Sequence, residues 1–281
     1  MKRYIHLPEL YMDSSELKRY LKEMYDFELK EIEYAEGGDT MNLDNSEKIH
    51  NFTQQTTKND IQDVISGKSK VRNGAAIQAA ASYLRTIKSA SSKIENPKLY
   101  KKQEENLLKT YAAENNLWVS STYLEKYVDE GAEQKVYFLG QNSVIKLSNA
   151  IFYDFWEDYF NSLLLHNYFF PDTAYELVGF MEKDNTFYAV IKQPLVSTKE
   201  KTDLDKVKKE MSENGFVNTK NNDYYNENLV IILEDLHEEN VLTKDGILRY
   251  IDTVFYLQAK KHKLGGLLKE FNKKYSLNDL F

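Results

Sequence analysis

Ile231-Ile232-Leu233-Glu234-Asp235-Leu236-His237-Glu238-Glu239-Asn240-Val241-Leu242, with Tyr250-Ile251-Asp252 a short way on, is the stretch on which the reading of this chain turns. The apolar run over residues 229–233 predicts a buried strand. Behind it Asp235 and Asn240 stand five residues apart in a polar turn. Asp245-Gly246 then marks a tight turn between two short strands, and the second strand delivers Asp252. Upstream, residues 123–128, 135–139 and 143–147 are short runs rich in Val, Ile, Tyr and Leu, punctuated by Gly131 and Gly140-Gln141-Asn142. Such spacing predicts a three-stranded antiparallel meander. Residues 153–169 follow as an amphipathic helix stopped before Pro171, and two more strands, 175–181 and 186–192, turn at Lys183-Asp184-Asn185. A further helix opens at Thr202 and Asp205, carries Leu204, Val207 and Met211, and closes at Asn214-Gly215.

The first part of the chain has a different texture. Asp13-Ser14-Ser15-Glu16 has the form of a capping box, with Leu17, Tyr20, Leu21 and Met24 behind it at helical spacing. Residues 36–60 are polar and contain Gly37-Gly38, which predicts a loop. Residues 75–87 are alanine-rich and helix-favouring, and Pro97 separates them from another helix lined by Tyr100, Leu107, Leu108 and Tyr111. We therefore expect an α+β protein, with a mainly helical region over 1–117 and a compact domain over 118–281. A net charge of −7 argues against general nucleic-acid binding, which needs a basic surface. The chain has no cysteine, so disulfides and thiolate metal sites are excluded. No apolar run is long enough to cross a bilayer and no signal peptide opens the chain, so a cytoplasmic location is expected.

A carboxylate and an amide five residues apart, followed by a second carboxylate, make a set of hard oxygen donors of the kind magnesium prefers. Phosphoryl transfer needs such a set, because it asks a protein for positioning and charge neutralisation more than for covalent chemistry. The D-x-x-x-x-N interval is that of the kinase catalytic loop. Asp235-Leu236-His237, continued through Asn240-Val241-Leu242, resembles the catalytic loop of aminoglycoside-phosphotransferase-type kinases. A closer resemblance is to the kinase domains of bacterial polyvalent proteins, which travel with phages and conjugative elements and belong to the protein-kinase-like superfamily. It is carried by Leu165-His166-Asn167, Asp172-Thr173-Ala174-Tyr175, Val178-Gly179-Phe180, Lys192-Gln193-Pro194 and Asn214-Gly215-Phe216, and it covers residues 118–257.

That resemblance implies a two-lobed domain, with a five-stranded antiparallel N-lobe over 123–192 and a reduced C-lobe. It implies ATP and Mg2+ as cofactors and a protein or small-molecule hydroxyl as acceptor. Val144-Ile145-Lys146 resembles the third-strand V-A-I-K motif, so Lys146 would hold the nucleotide phosphates. Asp235 would be the catalytic base, and Asn240 and Asp252 the magnesium ligands. Glu157, preferred to Asp158 for its longer reach, would pair with Lys146. Gly131-Ala132-Glu133 would form the turn over the phosphates, and Gln193-Pro194-Leu195 the hinge beside adenine. The chain departs from the family pattern at Leu233 where a histidine is usual, at Thr253-Val254 in place of Phe-Gly, and in having one glycine in the phosphate turn. These departures bear on catalysis more than on nucleotide binding, and keep two alternatives open: a pseudokinase, and a helical interaction protein of a mobile element.

Competing motifs fail on inspection. His237-Glu238 opens an H-E-x-x-H pattern, but Val241 stands where its second histidine belongs. Gly67-Lys68-Ser69 resembles the end of a phosphate-binding loop, yet Gln62 replaces the leading glycine and no apolar strand precedes it. His237 reads as a loop-bracing residue, and His166, on an apolar helix face, as a satisfied core histidine.

Overall fold

The computed structural model describes residues 57–90, 97–124, 126–130 and 134–257. The helix expected from Asp13, the Gly37-Gly38 loop and the Gly131 turn lie outside them. Three helices come first: α1 (57–66), α2 (Ala75–Ala90) and α3 (Pro97–Glu114). Strands β1 (Tyr127–Glu130), β2 (Gln134–Leu139) and β3 (Ser143–Ser148) precede α4 (Trp156–Phe169). After β4 (Glu176–Lys183), β5 (Thr186–Pro194) and α5 (Leu204–Glu213) come six short strands. These are β6 (Val217–Lys220), β7 (Asp223–Asn226), β8 (Ile231–Glu234), β9 (Val241–Lys244), β10 (Ile247–Tyr250) and β11 (Val254–Leu257).

The first five strands form an antiparallel sheet in the order β1-β2-β3-β5-β4. β3 is central and buried along most of its length. Because side chains alternate across a strand, Ile145 and Leu147 enter a small cluster with Tyr137, Met181, Tyr188 and Val190, while Lys146 is directed to the opposite face. The β4–β5 turn uses positive φ at Asp184 and Asn185, and the β9–β10 turn does so at Asp245 and Gly246. That backbone twist matches two-residue hairpins. β9 and β10 form a two-stranded sheet, and a four-stranded one, β11-β8-β7-β6, is also antiparallel.

α4 is buried on nearly all sides and is the axis of the molecule. Ile61, Val64, Ile77, Leu84 and Leu108 from the first three helices join Phe160 and Leu164 of α4 and Phe255 of β11 in one core. That core runs straight through the boundary expected at residue 117. The backbone does the same: Phe180 N donates to Leu117 O at 2.8 Å, and Val119 N to Phe180 O at 2.8 Å. α4 carries no side-chain cap of its own at Phe155, so Glu104 of α3 supplies one, accepting from Trp156 N at 2.6 Å.

Several local expectations change. Residues 57–60 are helical, because Ile61 and Val64 bury one face of α1 in the core. α5 is capped by Asp203, which accepts from Asp205 N and Lys206 N, while the Thr202 hydroxyl turns to Val241 O at 2.6 Å. β8 begins at Ile231, since Val230 takes a positive φ. β6, β7 and β11 have no strong alternation in sequence; β7 and β11 are set by pairing with β8, and β6 by pairing with β7. Gly67 ends α1, with its N–H on Val64 O, so Gly67-Lys68-Ser69 sits at the wrong end of a helix to hold phosphate. Among the described residues no helix is long and apolar enough to cross a membrane.

Gly179 lies where β4 passes the 117–119 segment, and a Cβ there would stand 2.1 Å from the Leu117 carbonyl oxygen. Gly179→Ala should lower unfolding free energy by about 2 kcal/mol or more, since backbone cannot yield as a side chain does. Urea denaturation checks this, and an unchanged midpoint would contradict the close approach.

Candidate functional site

Lys146 is the centre from which the site is built. Its side chain is only 7% exposed, and an ammonium so buried needs acceptors. Nζ donates to Ile251 O at 2.8 Å and lies 3.5 Å from Asp252 Oδ2. It also stands 5.4 Å from the centre of the Tyr175 ring. Asp252 Oδ1 accepts from Gln134 Nε2 at 2.9 Å and lies 3.5 Å from the Tyr175 hydroxyl. Strands β2 and β3, the residue before β4 and the segment after β10 thus meet at one carboxylate.

The β9–β10 hairpin explains why Asn240 and Asp252, distant by twelve residues in sequence, are neighbours. Val241 pairs with Tyr250 at its open end, so the residues just outside that pair must also lie together. Asn240 O accepts from Ile251 N at 2.9 Å and from Asp252 N at 3.4 Å.

Asp235 follows β8 with φ +73, a left-handed conformation that costs a non-glycine residue roughly 1 kcal/mol. Local bonds hold it there. Its N–H donates to Asp223 Oδ1 at 3.1 Å, and Asn240 Nδ2 donates to Asp235 O and Oδ2 at 2.9 and 2.8 Å. His237 Nδ1 accepts from Glu239 N at 3.3 Å, and Nε2 lies 3.2 Å from Asp235 Oδ1 and 3.1 Å from Asn240 Nδ2. His237 therefore braces the loop and the carboxylate together. The Asp235 side chain is 54% exposed and open to solvent. Leu233, in the usual histidine position, is fully buried opposite Tyr224 and Phe255 and takes no part in polar contacts.

Two expected partners are engaged elsewhere. Glu157 does not reach Lys146; its Oε1 accepts from Arg85 Nε of α2 at 2.9 Å, and Arg85 also donates to Asn161 Oδ1. The first turn of α4 faces the helical layer, and the lysine takes Asp252 as its carboxylate. Gln193 lies within β5 in register with Val144, and its side chain is buried, donating to Thr173 O at 2.8 Å.

Behind the site runs a hydrogen-bond network that residue-by-residue reading missed. His166, fully buried, places Nδ1 2.8 Å from the Thr253 hydroxyl and Nε2 3.1 Å from Thr173 O. The carbonyl requires the proton on Nε2, so the Thr253 hydroxyl donates to Nδ1. Thr173 Oγ1 donates to Tyr250 O at 2.5 Å. Asn167 clamps the Tyr175 backbone, accepting from its N–H and donating to its carbonyl, both at 2.7 Å. These residues fall in His166-Asn167, Thr173-Ala174-Tyr175 and Gln193, segments that carried the family resemblance. Their short polar side chains within apolar runs were the available signal.

The donor set suits magnesium: the Asp252 carboxylate and the Asn240 side-chain oxygen are hard ligands on adjoining backbone. Among the described residues no group of three or more His, Asp or Glu side chains is placed to hold a metal ion. A magnesium ion here would draw its remaining ligands from phosphate and water.

Burial pushes the His166 pKa down to about 3, with the Lys146 charge adding to the effect against the hydrogen bond to Thr173. The unfolded chain therefore binds a proton below about pH 6.5 that the native chain refuses down to about 3. Its contribution to stability is present above that window and is lost as pH falls through it, at up to about 1.4 kcal/mol per pH unit. His166→Gln should flatten the dependence of unfolding free energy on pH between 6 and 4.5, measured by urea titration. An unchanged slope would show that His166 is not held neutral.

The family model described as "Serine/Threonine/Tyrosine Kinase found in polyvalent proteins" matches residues 101–259, more than half of the chain. The match begins inside α3, earlier than the boundary expected at 118, and takes in every residue of the constellation around Lys146. Neither curated proteins nor solved structures give a match. With the lysine strand, the D-x-x-x-x-N loop and the aspartate after the hairpin all inside the matched span, this chain belongs to the family of serine/threonine/tyrosine kinases found in polyvalent proteins.

Proposed function

We propose that the chain is an ATP- and magnesium-dependent phosphotransferase acting on a hydroxyl of a protein or a small molecule. In this reading the five-stranded sheet is the N-lobe, and the strands from β6 to β11 with α5 are a reduced C-lobe. The enzyme would serve a bacterial mobile element in the cytoplasm. The observation that supports it most is the ion pair of Lys146 with Asp252 at 3.5 Å, made beside Asn240 and at the end of β2 that follows the expected phosphate turn.

In the reaction the acceptor O–H gives its proton to Asp235, whose two oxygens are oriented by His237 and Asn240. The freed oxygen bonds to the γ-phosphorus as the bond to the β-phosphate oxygen breaks, and ADP leaves. Asp252 lies against Lys146, whose charge would steady the phosphates, and Asn240 adjoins Asp252 through the backbone. Asn240 and Asp252 would hold magnesium, which would supply charge neutralisation at the phosphates.

A pseudokinase is the second reading. The Asp252 carboxylate already has Lys146, Gln134 and Tyr175 around it, so metal must compete with protein donors, and Leu233 removes a usual loop histidine.

In a thermal-shift titration, ATP with magnesium should stabilise the chain more than ATP with chelator. Asp252→Ala should abolish the magnesium-dependent part and, because it takes an acceptor from the buried Lys146 ammonium, should also lower the unliganded midpoint. Asp235→Ala should retain nucleotide binding but lose transfer of labelled phosphate to an acceptor by roughly 100-fold or more. Binding without label transfer in the wild type would favour the pseudokinase, and absence of any nucleotide effect would sink both readings.

A further inference from the structure

We propose that Tyr175 is a positioning residue for phosphoryl transfer, its hydroxyl setting the Ile251 peptide and the Asp252 carboxylate in one geometry with Lys146. This rests on Asp252 serving as a magnesium ligand, as argued above. The carbonyl of Ile251 is the shared point: it accepts from Lys146 Nζ at 2.8 Å and from the Tyr175 hydroxyl at 3.0 Å. The same hydroxyl stands 3.5 Å from Asp252 Oδ1, close enough to bias that carboxylate without saturating it. One buried group therefore spans the backbone that carries the ligand and the ligand itself.

Tyr175 can act as a ruler because it has little freedom of its own. It is 3% exposed. Asn167 holds both of its backbone polar groups, His166 packs against its ring at 4.2 Å between centres, and the Lys146 ammonium lies 5.4 Å from the ring centre. Burial and the neighbouring Asp252 charge raise its pKa well above the ordinary phenol value, so the hydroxyl stays protonated and donates. Gln134, which also donates to Asp252, sits in the half-buried first position of β2 beside the expected phosphate turn and lacks this bracing. Groups that orient a metal ligand commonly change metal affinity by about 10–100-fold when removed.

Tyr175→Phe is a clean test. It keeps the ring, its contacts with His166 and Lys146, and the Lys146 donor on Ile251 O, so no carbonyl is orphaned. With the full chain and a fixed ATP concentration, magnesium is titrated and ATP binding is followed by calorimetry. The variant should need roughly 10-fold more magnesium for half-maximal binding. At saturating magnesium its KM for ATP should stay near wild type while kcat falls. Tyr250→Phe is the control, since Tyr250 is equally buried at 3% and its hydroxyl donates to Glu210 at 3.1 Å, away from Asp252. That change should lower the thermal midpoint without moving the magnesium titration. An identical titration for Tyr175→Phe and wild type, or an equal displacement in Tyr250→Phe, overturns the assignment while nucleotide binding stands. A wild-type chain indifferent to ATP and magnesium overturns the nucleotide reading and this assignment with it.

Discussion

The burial of one ammonium organises this molecule. Lys146 sits in the central strand of the five-stranded sheet, where strand alternation turns it away from the Ile145 and Leu147 cluster and toward the interior beside α4. A charge in that place is tolerated only with acceptors at hand. Those acceptors, Ile251 O and Asp252, lie more than a hundred residues along the chain, so the segment just after the β9–β10 hairpin must reach β3 for the lysine to be satisfied. Fold and site are therefore coupled: the contact that completes the core is also the one that assembles the carboxylate, the amide and the lysine.

α4 is the element through which the helical layer takes part. Glu104 of α3 caps its N-terminus, Arg85 of α2 grips its first turn through Glu157 and Asn161, and Asn167 near its end bonds to Arg72 O before α2. From the opposite side of the helix His166 reaches Thr253, and Ser162 accepts from Phe255 N, tying α4 to the segment after Asp252. Displacement of the helical layer would act on Asp252 through this one helix. This is the physical reason the helices and the kinase-family segment share a single core.

The catalytic-loop candidate is built on a different principle. Asp235 holds a left-handed backbone that its hydrogen bond to Asp223 and those it accepts from His237 N and Asn240 over-determine. Its carboxylate is exposed and oriented, whereas Asp252 is half-buried and enclosed. In the proposed reaction these different surroundings would serve different tasks, one toward an approaching acceptor and one toward a cation.

The chain's local chemistry alone determined the α+β class, the five strands, the hairpin at Asp245-Gly246 and the adjacency of Asn240 to Asp252. Each follows from side-chain alternation, turn residues or hairpin closure, which act over a few neighbouring residues. Tertiary structure decided the rest. Glu157 met Arg85 rather than Lys146 because the facing of α4 is set by α2, seventy-two residues away along the chain. Gln193 turned inward to the Thr173 carbonyl, which it shares with His166, and Tyr175, just before β4, meets Ile251, just after β10, across seventy-six residues of chain. Pairings of that kind depend on which buried polar groups remain unsatisfied after packing, a quantity that no local pattern of residues contains.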